Sequence, residues 1–526
     1  MQMTGTVADL ILAQLSEYGV KYIFGVIGDA IFPLADALSR QEKIRYIPAT
    51  IETAASLMAS FSAKLFGTLG VCIASAGPGA VNIANGLADA YLDNAPLLCI
   101  TGQVSSTKLG TDYKQYINQT QFFEAITGKS RLCTHPAAMI PILTGLINHA
   151  LTFGTSVHLE VPQDILETTI QGTILPKPDI MTNLNGARIH YGQLDTALEW
   201  MAGSQSPLIV IGKRACAFGT IIASFAKSFG AAIVVSRECK GTIPDTNPQV
   251  IGGIGEAFLP DCFSKSDCII LFGEAIYEER FIPSGVKVIQ CRNTTHPGFT
   301  NYLEVNGDYD LILRAMREKF PNFLDRHPWR SAMEEAFHQR TTAAENIQDP
   351  SHPLVFFKAL SQAVADNAII TLDVGEFVYW FDFGFLAKSQ QVGISTNWRS
   401  MGGGIPAGIA ACLQSPDRQV ISIVGDGGFL MSMSELVTIE RYHLPLTIFV
   451  LKNQCYGLEI QKMAKEGFRN FGTDLVLPDL LKLAESFQLK GYRMTNLSDA
   501  ENLKSILQHP PALVEVNVNH APLANL

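Results

Sequence analysis

The 526-residue chain sets 39 Lys and Arg against 49 Asp and Glu, a formal net charge of −10. That balance offers no broad attraction to nucleic acid or to an anionic membrane surface. Its 47% hydrophobic content is ample for large cores, and no apolar run approaches the roughly 20 residues that span a bilayer, so the chain reads as roughly three to four globular domains.

The opening stretch, "MQMTGTVADLILAQLSEYGV", has no basic n-region and no small-residue cleavage site, and it reads as an amphipathic helix rather than a leader. Across 1–175, "KYIFGV", "IRYIPA", "LGVCIAS", "PLLCITG" and "SVHLEVP" read as strands that alternate with helical patterns. A polar, proline-containing stretch, "QGTILPKPDIMTNLNG", precedes a second block, 190–320, with strands at "SPLIVIG", "AAIVVS", "DCIILFG" and "VKVIQC". A charged linker, "PNFLDRHPWRSAMEEAFHQRTTAAENIQDPSHP", leads to a third block, 353–526, with "AIITLDVG", "RQVISIVG", "PLTIFVLK" and "ALVEVNV". Three successive β/α patterns predict an α/β protein of three doubly wound parallel-sheet domains. The ten cysteines occur singly, mostly in apolar segments, with no C-x-x-C pair. They read as small buried hydrophobes of a reducing compartment, and the chain as cytoplasmic.

The third block carries the densest chemistry, "VGDGGFLMSMSELVTIERYHLPLTIFVLKNQCYG". Asp426 ends one apolar strand and Asn453 ends the next, with a helical crossover between them. Both therefore leave a parallel sheet at the end where such sheets bind ligands. Asp and Asn are oxygen donors of the kind Mg²⁺ prefers, and the surrounding glycines let backbone approach a phosphate.

The full strand–Gly425-Asp426-Gly427–helix–strand–Asn453 pattern resembles the thiamine-diphosphate motif. With its companions, the chain resembles the pyruvate oxidase, acetolactate synthase and pyruvate decarboxylase superfamily along essentially its whole length. The resemblance implies three domains in order: pyrimidine-binding, middle, and diphosphate-binding. It implies that Asp426, Asn453 and the backbone carbonyl of Cys455 hold Mg²⁺, with Gly425, Gly427, Gly428 and Gly457 beside the diphosphate. Glu52, in "ATIETAASLMASFSAKLFG", matches the glutamate that binds N1′ of the aminopyrimidine, although Ile51 stands where many relatives have His. Gly77-Pro78-Gly79 matches a turn beside the cofactor. Met401, in "RSMGGGIPAGIAA", matches the bulky residue that props the cofactor into a V shape, and Gly375-Glu376, in "LDVGE", matches a segment near the diphosphate.

The same resemblance implies attack of a C2 ylide on the keto carbon of a small, pyruvate-like 2-oxo acid, loss of carbon dioxide, and an enamine whose fate separates the branches. Asp29, in "FGVIGDAIFPLADAL", and Glu459, six residues after Asn453, match acids of non-oxidative decarboxylases. Two carboxylates near C2 would relay a proton and release an aldehyde. That lyase is the leading expectation. Against it, the chain has no adjacent histidine pair, and "GTDYKQYINQTQFFEAIT" resembles the oxidase and acetolactate-synthase pattern. There Gln115 fits the family and Lys114 does not. A carboligating transferase of the acetolactate-synthase type is the alternative, followed by an oxidase and then by a non-catalytic binding protein. The middle segment "VIQCRNTTHPGFTNY" lacks the acidic pair of FAD-binding relatives, so FAD is not expected. The resemblance further implies a homodimer or homotetramer whose active site lies at the subunit interface.

Overall fold

The computed structural model describes residues 1–178, 191–253, 261–273, 285–291, 302–322 and 324–523. Its frame is three six-stranded sheets, all parallel, flanked by helices. In spatial order the first sheet runs Arg45–Pro48, Tyr22–Gly25, Gly70–Ala74, Leu97–Gln103, Ser156–Pro162 and Lys129–Leu132. The third runs Gln391–Gly393, Ile369–Leu372, Val420–Gly425, Leu446–Lys452, Ala512–Asn517 and Lys490–Met494. Numbered by chain order within each sheet, both follow 2-1-3-4-6-5, so the two outer domains share one topology. The middle sheet, over Pro207–Val305, follows 3-2-1-4-5-6. The central strands are apolar on both faces because helices cover both. All seven residues of Leu97–Gln103, for example, are buried.

The topology places the crevices. In the outer sheets the order reverses between strands one and three, and open α/β sheets bind ligands beyond the carboxyl ends of such a pair. In the first domain that point gathers the segments after Gly25 and Ala74, which carry Asp29 and Gly77. In the third it gathers the segments after Leu372 and Gly425, which carry Gly375, Glu376 and Asp426–Gly428. The two domains also share a core. The helix Glu52–Phe66 buries Ala54, Ala55, Met58 and Ala59 in the cluster that holds Ile405, Ile409 and Ala410 of the helix Gly404–Gln414. Small side chains let the two helices come close.

Several expectations are corrected. The N-terminal stretch is not helical throughout: Gln2–Thr6 is a strand that pairs antiparallel with Thr169–Thr173, and the helix begins at Val7. Thr6 sets that boundary by a capping box, in which Asp9 N donates to Thr6 Oγ1 at 3.1 Å and Thr6 N donates to Asp9 Oδ2 at 2.9 Å. The charged linker contains a helix, His327–Thr342, whose Trp329, Met333 and Ala336 pack into the core of the middle domain. The cysteines are not all free. Cys216 and Cys239 form a disulfide with an S–S distance of 2.12 Å, and seven of the remaining eight are buried. Among the described residues one helical stretch, Pro136–Phe153, is long and apolar enough to cross a membrane. Its Met139, Leu143, Leu146 and Ile147 pack in the first domain's core.

Candidate active site

A cavity of about 90 Å³ opens at the reversal point of the third sheet, and its lining comes from residue 353 onward. Gly375, Glu376, Met401, Gly425, Asp426, Gly427, Gly428, Asn453, Cys455, Gly457 and Glu459 all line it. Residues from Gly375 to Glu459 converge because three neighbouring strands end at the same edge.

Asp426 begins the helix Asp426–Ser432. Its Oδ2 accepts from Gln454 N at 2.6 Å and its Oδ1 from Gly427 N at 3.1 Å. Burial raises its pKa against those donors, so an ionised carboxylate here is costly unless a cation shares the site. Asn453 Oδ1 accepts from Cys455 N at 3.2 Å. The loop they bound is pinned from outside: Tyr456 N donates to Thr473 O at 2.9 Å and Leu475 N to Gln454 O at 2.9 Å. Gln454 takes the left-handed φ of 59° that this turn needs. Close approach explains Gly427, where a Cβ would lie 2.5 Å from Tyr456 Cε1 and 2.9 Å from Met401 Cε.

Two features of the cavity were not read from sequence. Asp373 is fully buried beneath it and binds backbone on two sides: Val374 N at 2.7 Å, Gly402 N at 3.0 Å and Gly404 N at 3.2 Å. Burial pushes its carboxyl up to about 6 despite these donors. Asp373 thus ties the strand end to the loop that carries Met401. Its position in "LDVGE" was the available signal, since a carboxylate closing an apolar strand needs partners. Second, Glu376 Oε2 faces His520 Nδ1 at 2.8 Å and Oε1 accepts from Ala521 N at 2.9 Å. Burial raises the Glu376 pKa against the pull of His520. His520 lies 144 residues away in sequence, so nothing local signals the pair.

Glu459 sits in the first turn of the helix Gly457–Lys465 at the cavity mouth. Its side chain is 54% exposed and pairs with Lys462 at 3.1 Å.

The residues expected from the first domain gather separately, at that domain's own reversal point. Glu52 is half-buried at the start of its helix and Oε2 accepts from Asn82 Nδ2 at 3.1 Å. A Cβ on Gly79 would lie 3.1 Å from Glu52 Oε1. Gly77, with φ of 62°, abuts the backbone of Gln115, itself at φ of 63°. Asp29 Oδ1 accepts from Ala30 N at 2.9 Å and meets Ser75 Oγ at 3.3 Å. Asp29, Lys114 and Gln115 are exposed in the single chain, and none of this group lines the cavity.

Three family models match in order: the N-terminal binding domain of thiamine pyrophosphate enzymes over residues 5–122, their central domain over 194–316, and their C-terminal binding domain over 373–516. The chain belongs to the thiamine-diphosphate-dependent enzyme superfamily. A provisionally named thiamine pyrophosphate-containing protein of Bacillus subtilis, YdaP, is 29% identical over 97% of this chain and 91% of its own length. An acetolactate synthase large subunit of Lactococcus lactis is 28% identical over 97% and 92%. A pyruvate oxidase of Lactiplantibacillus plantarum is 24% identical over 96% and 87%.

The residues present suit the superfamily's cofactor. The third domain offers a carboxylate, an amide oxygen and a backbone carbonyl as hard donors for Mg²⁺. Gly427 and Gly428 are held tightly within the edge, where a side chain would collide with Tyr456 or Asp373. The segment weighed against FAD, Val288–Tyr302, lies mostly outside the described residues.

Proposed function

We propose that this enzyme is a carboligating transferase of the acetolactate-synthase type, acting on small 2-oxo acids, and that each active site joins the third domain of one chain to the first domain of another. Bound thiamine diphosphate supplies the electron sink that lets a 2-oxo acid lose carbon dioxide. Asp426, Asn453 and the Cys455 carbonyl would hold Mg²⁺, Gly375 and the glycines 425, 427, 428 and 457 would admit the diphosphate, and Met401 would prop the ring. Glu52 would hold a proton at N1′ of the pyrimidine, and Gln115 would orient substrate.

The relatives carry the choice of branch: acetolactate synthases recur among them. The leading expectation from sequence, the aldehyde-releasing decarboxylase, therefore yields to the alternative. Asp29 retains a role only if a second chain covers it. Glu376, hydrogen-bonded to His520, would shape the diphosphate end. The pyruvate oxidase relative keeps a flavin within consideration; without the acidic pair, FAD is not proposed. A cytoplasmic location rests on the seven buried free cysteines, with the Cys216–Cys239 disulfide standing against it.

The two-chain site is supported by the cavity's lining, which lacks Glu52. It is also supported by exposed apolar neighbours of the Glu52 group: Ile27 at 39%, Phe32 at 55%, Ile51 at 41% and Val81 at 46%. Apolar surface clustered this way marks an interface. The test is product analysis with pyruvate, Mg²⁺ and thiamine diphosphate. Acetolactate is expected. Acetaldehyde alone would restore the lyase, and peroxide with oxygen uptake would restore the oxidase.

A further inference from the structure

Met401 reaches the cavity on a segment, Ser395–Met401, with little regular structure of its own. Arg399 within it takes a left-handed φ of 56°, and Gly402 follows at 82°. A non-glycine residue in that region persists only where its surroundings over-determine it. The surroundings belong to the first domain of the same chain. Asp93 caps the carboxyl end of the helix Ala84–Leu92, and its Oδ2 accepts from Thr396 N at 2.9 Å while Oδ1 accepts from Asn397 N at 2.8 Å. Asp89 Oδ1 accepts from Ser395 Oγ at 2.6 Å, and that oxygen accepts from Ser400 N at 3.0 Å. Asn85 Nδ2 donates to Ser400 Oγ at 2.9 Å, and Trp398 Nε1 donates to Asn85 Oδ1 at 2.6 Å.

The clamp is electrostatically locked. Lys64 Nζ lies 2.6 Å from Asp89 Oδ2 and 2.5 Å from Asp93 Oδ2, and all three side chains are at most 5% exposed. A carboxylate at a helix carboxyl end opposes the helix dipole, so Asp93 is not there to stabilise its own helix. Burial works to raise its pKa, yet Lys64 and the two backbone N–H groups hold it below the ordinary carboxylate value. Burial likewise works against the Lys64 ammonium, and the two carboxylates hold its pKa above the ordinary value. The middle domain joins at the same residue, since Lys213 Nζ donates to Asp93 O at 2.8 Å.

We propose that Asp93, locked by Lys64, is a positioning residue that fixes the Ser395–Met401 segment from the neighbouring domain so that Met401 stands at a set height over the cofactor cavity. The proposal rests on the reading of Met401 as the cofactor's prop. It adds that the prop is held from the first domain of the same chain, whose own Glu52 would serve a different active site.

The test uses full-length protein with Asp93→Asn and, independently, Ser395→Ala. An asparagine keeps the shape but can accept only at one atom and loses the ion pair. In cofactor-free protein, amide exchange in the peptide spanning 394–402 is expected to rise about tenfold or more, with peptides 97–103 and 424–430 unchanged. In loaded protein, affinity for Mg²⁺ and thiamine diphosphate should stay within about threefold. Turnover should fall about a hundredfold, matching Met401→Ala, because a misplacement of about 1 Å is that costly. Unchanged exchange at 394–402, or a rise spread equally over 97–103, overturns the clamp. Raised exchange with undiminished turnover overturns its link to Met401. If Asp93→Asn does not fold, Ser395→Ala decides by the same readings. Wild-type protein that binds no thiamine diphosphate would instead overturn the reading of the cavity, and the exchange measurement would still judge the clamp.

Discussion

Both carboxylate oxygens of Asp373 lie 3.0 Å from Gly402 N. The loop after Met401 therefore hangs on a charge buried at the end of a strand 29 residues earlier. Removing that charge leaves several buried N–H groups without partners, each costing about 1–3 kcal/mol. Asp373→Ala should lower stability by about 3 kcal/mol and weaken cofactor retention, as read by urea denaturation and by titration with thiamine diphosphate.

The same residue fixes one pH dependence. Its folded pKa of about 6 lies above the ordinary 3.8, so the folded state binds more protons, and this group's contribution falls as pH rises from about 4 to about 6. His158 acts with the opposite sign. It is fully buried between Thr101 Oγ1 at 2.7 Å and Ser130 Oγ at 2.8 Å, and burial lowers its pKa from 6.5 to about 3. The unfolded chain takes up a proton below about pH 6.5 that the folded chain refuses. Stability through His158 is complete above that pH and declines toward pH 3 by about 1.4 kcal/mol per unit. His158→Gln should flatten the melting-temperature profile between pH 7 and 5 even though it lowers stability at pH 7.

Gly457 faces Glu376 and His520 so closely that a Cβ would overlap Glu376 Oε2 and lie 2.8 Å from His520 Nδ1. Gly457→Ala should displace the Glu376–His520 pair into the cavity and weaken binding of thiamine diphosphate about a hundredfold, roughly 3 kcal/mol. Adding Glu376→Ala should restore much of the loss. Equal affinity in the single variant and wild type would show that the pair does not border the cofactor.

Metal dependence should follow the oxygen donors. Asp426→Ala and Asn453→Ala should each weaken Mg²⁺-dependent retention of thiamine diphosphate about a hundredfold or more, and chelation of Mg²⁺ should release the cofactor from wild type. Calorimetry with and without chelator reads both.

Subunit mixing tests the shared site. Glu52→Gln and Asp426→Ala should each be inactive alone. If Glu52 of one chain faces Asp426 of another, mixed dimers regain one intact site. An equal mixture after dissociation and reassembly should then recover about a quarter of wild-type activity. No recovery would mean that both residues serve one site within a single chain.

The sequence by itself determined the central strands and which third-domain residues line the cavity. A strand covered by helices on both faces must be apolar throughout, so "VISIVG" and "LTIFVLK" announce themselves. The ligand edge then follows from where they end. It did not determine the edge strands. Lys129–Leu132, Val250–Gly253, Tyr302–Val305, Gln391–Gly393 and Lys490–Met494 were all missed, and each is outermost in its sheet. An edge strand is short and pairs on one side only, which leaves its residues free to be mixed in polarity. The "IRYIPA" edge was found because it keeps an apolar centre. Asp29, Glu52 and Gln115 were legible as residues, and only the fold places them outside this cavity, at the first domain's own reversal point. Asp93 and His520 carried no motif at all, and Asp373 only its place in "LDVGE". Asp93 meets Thr396 across 303 residues and His520 meets Glu376 across 144. A buried charge takes its meaning from the partners that fold around it, and only the tertiary structure decided those.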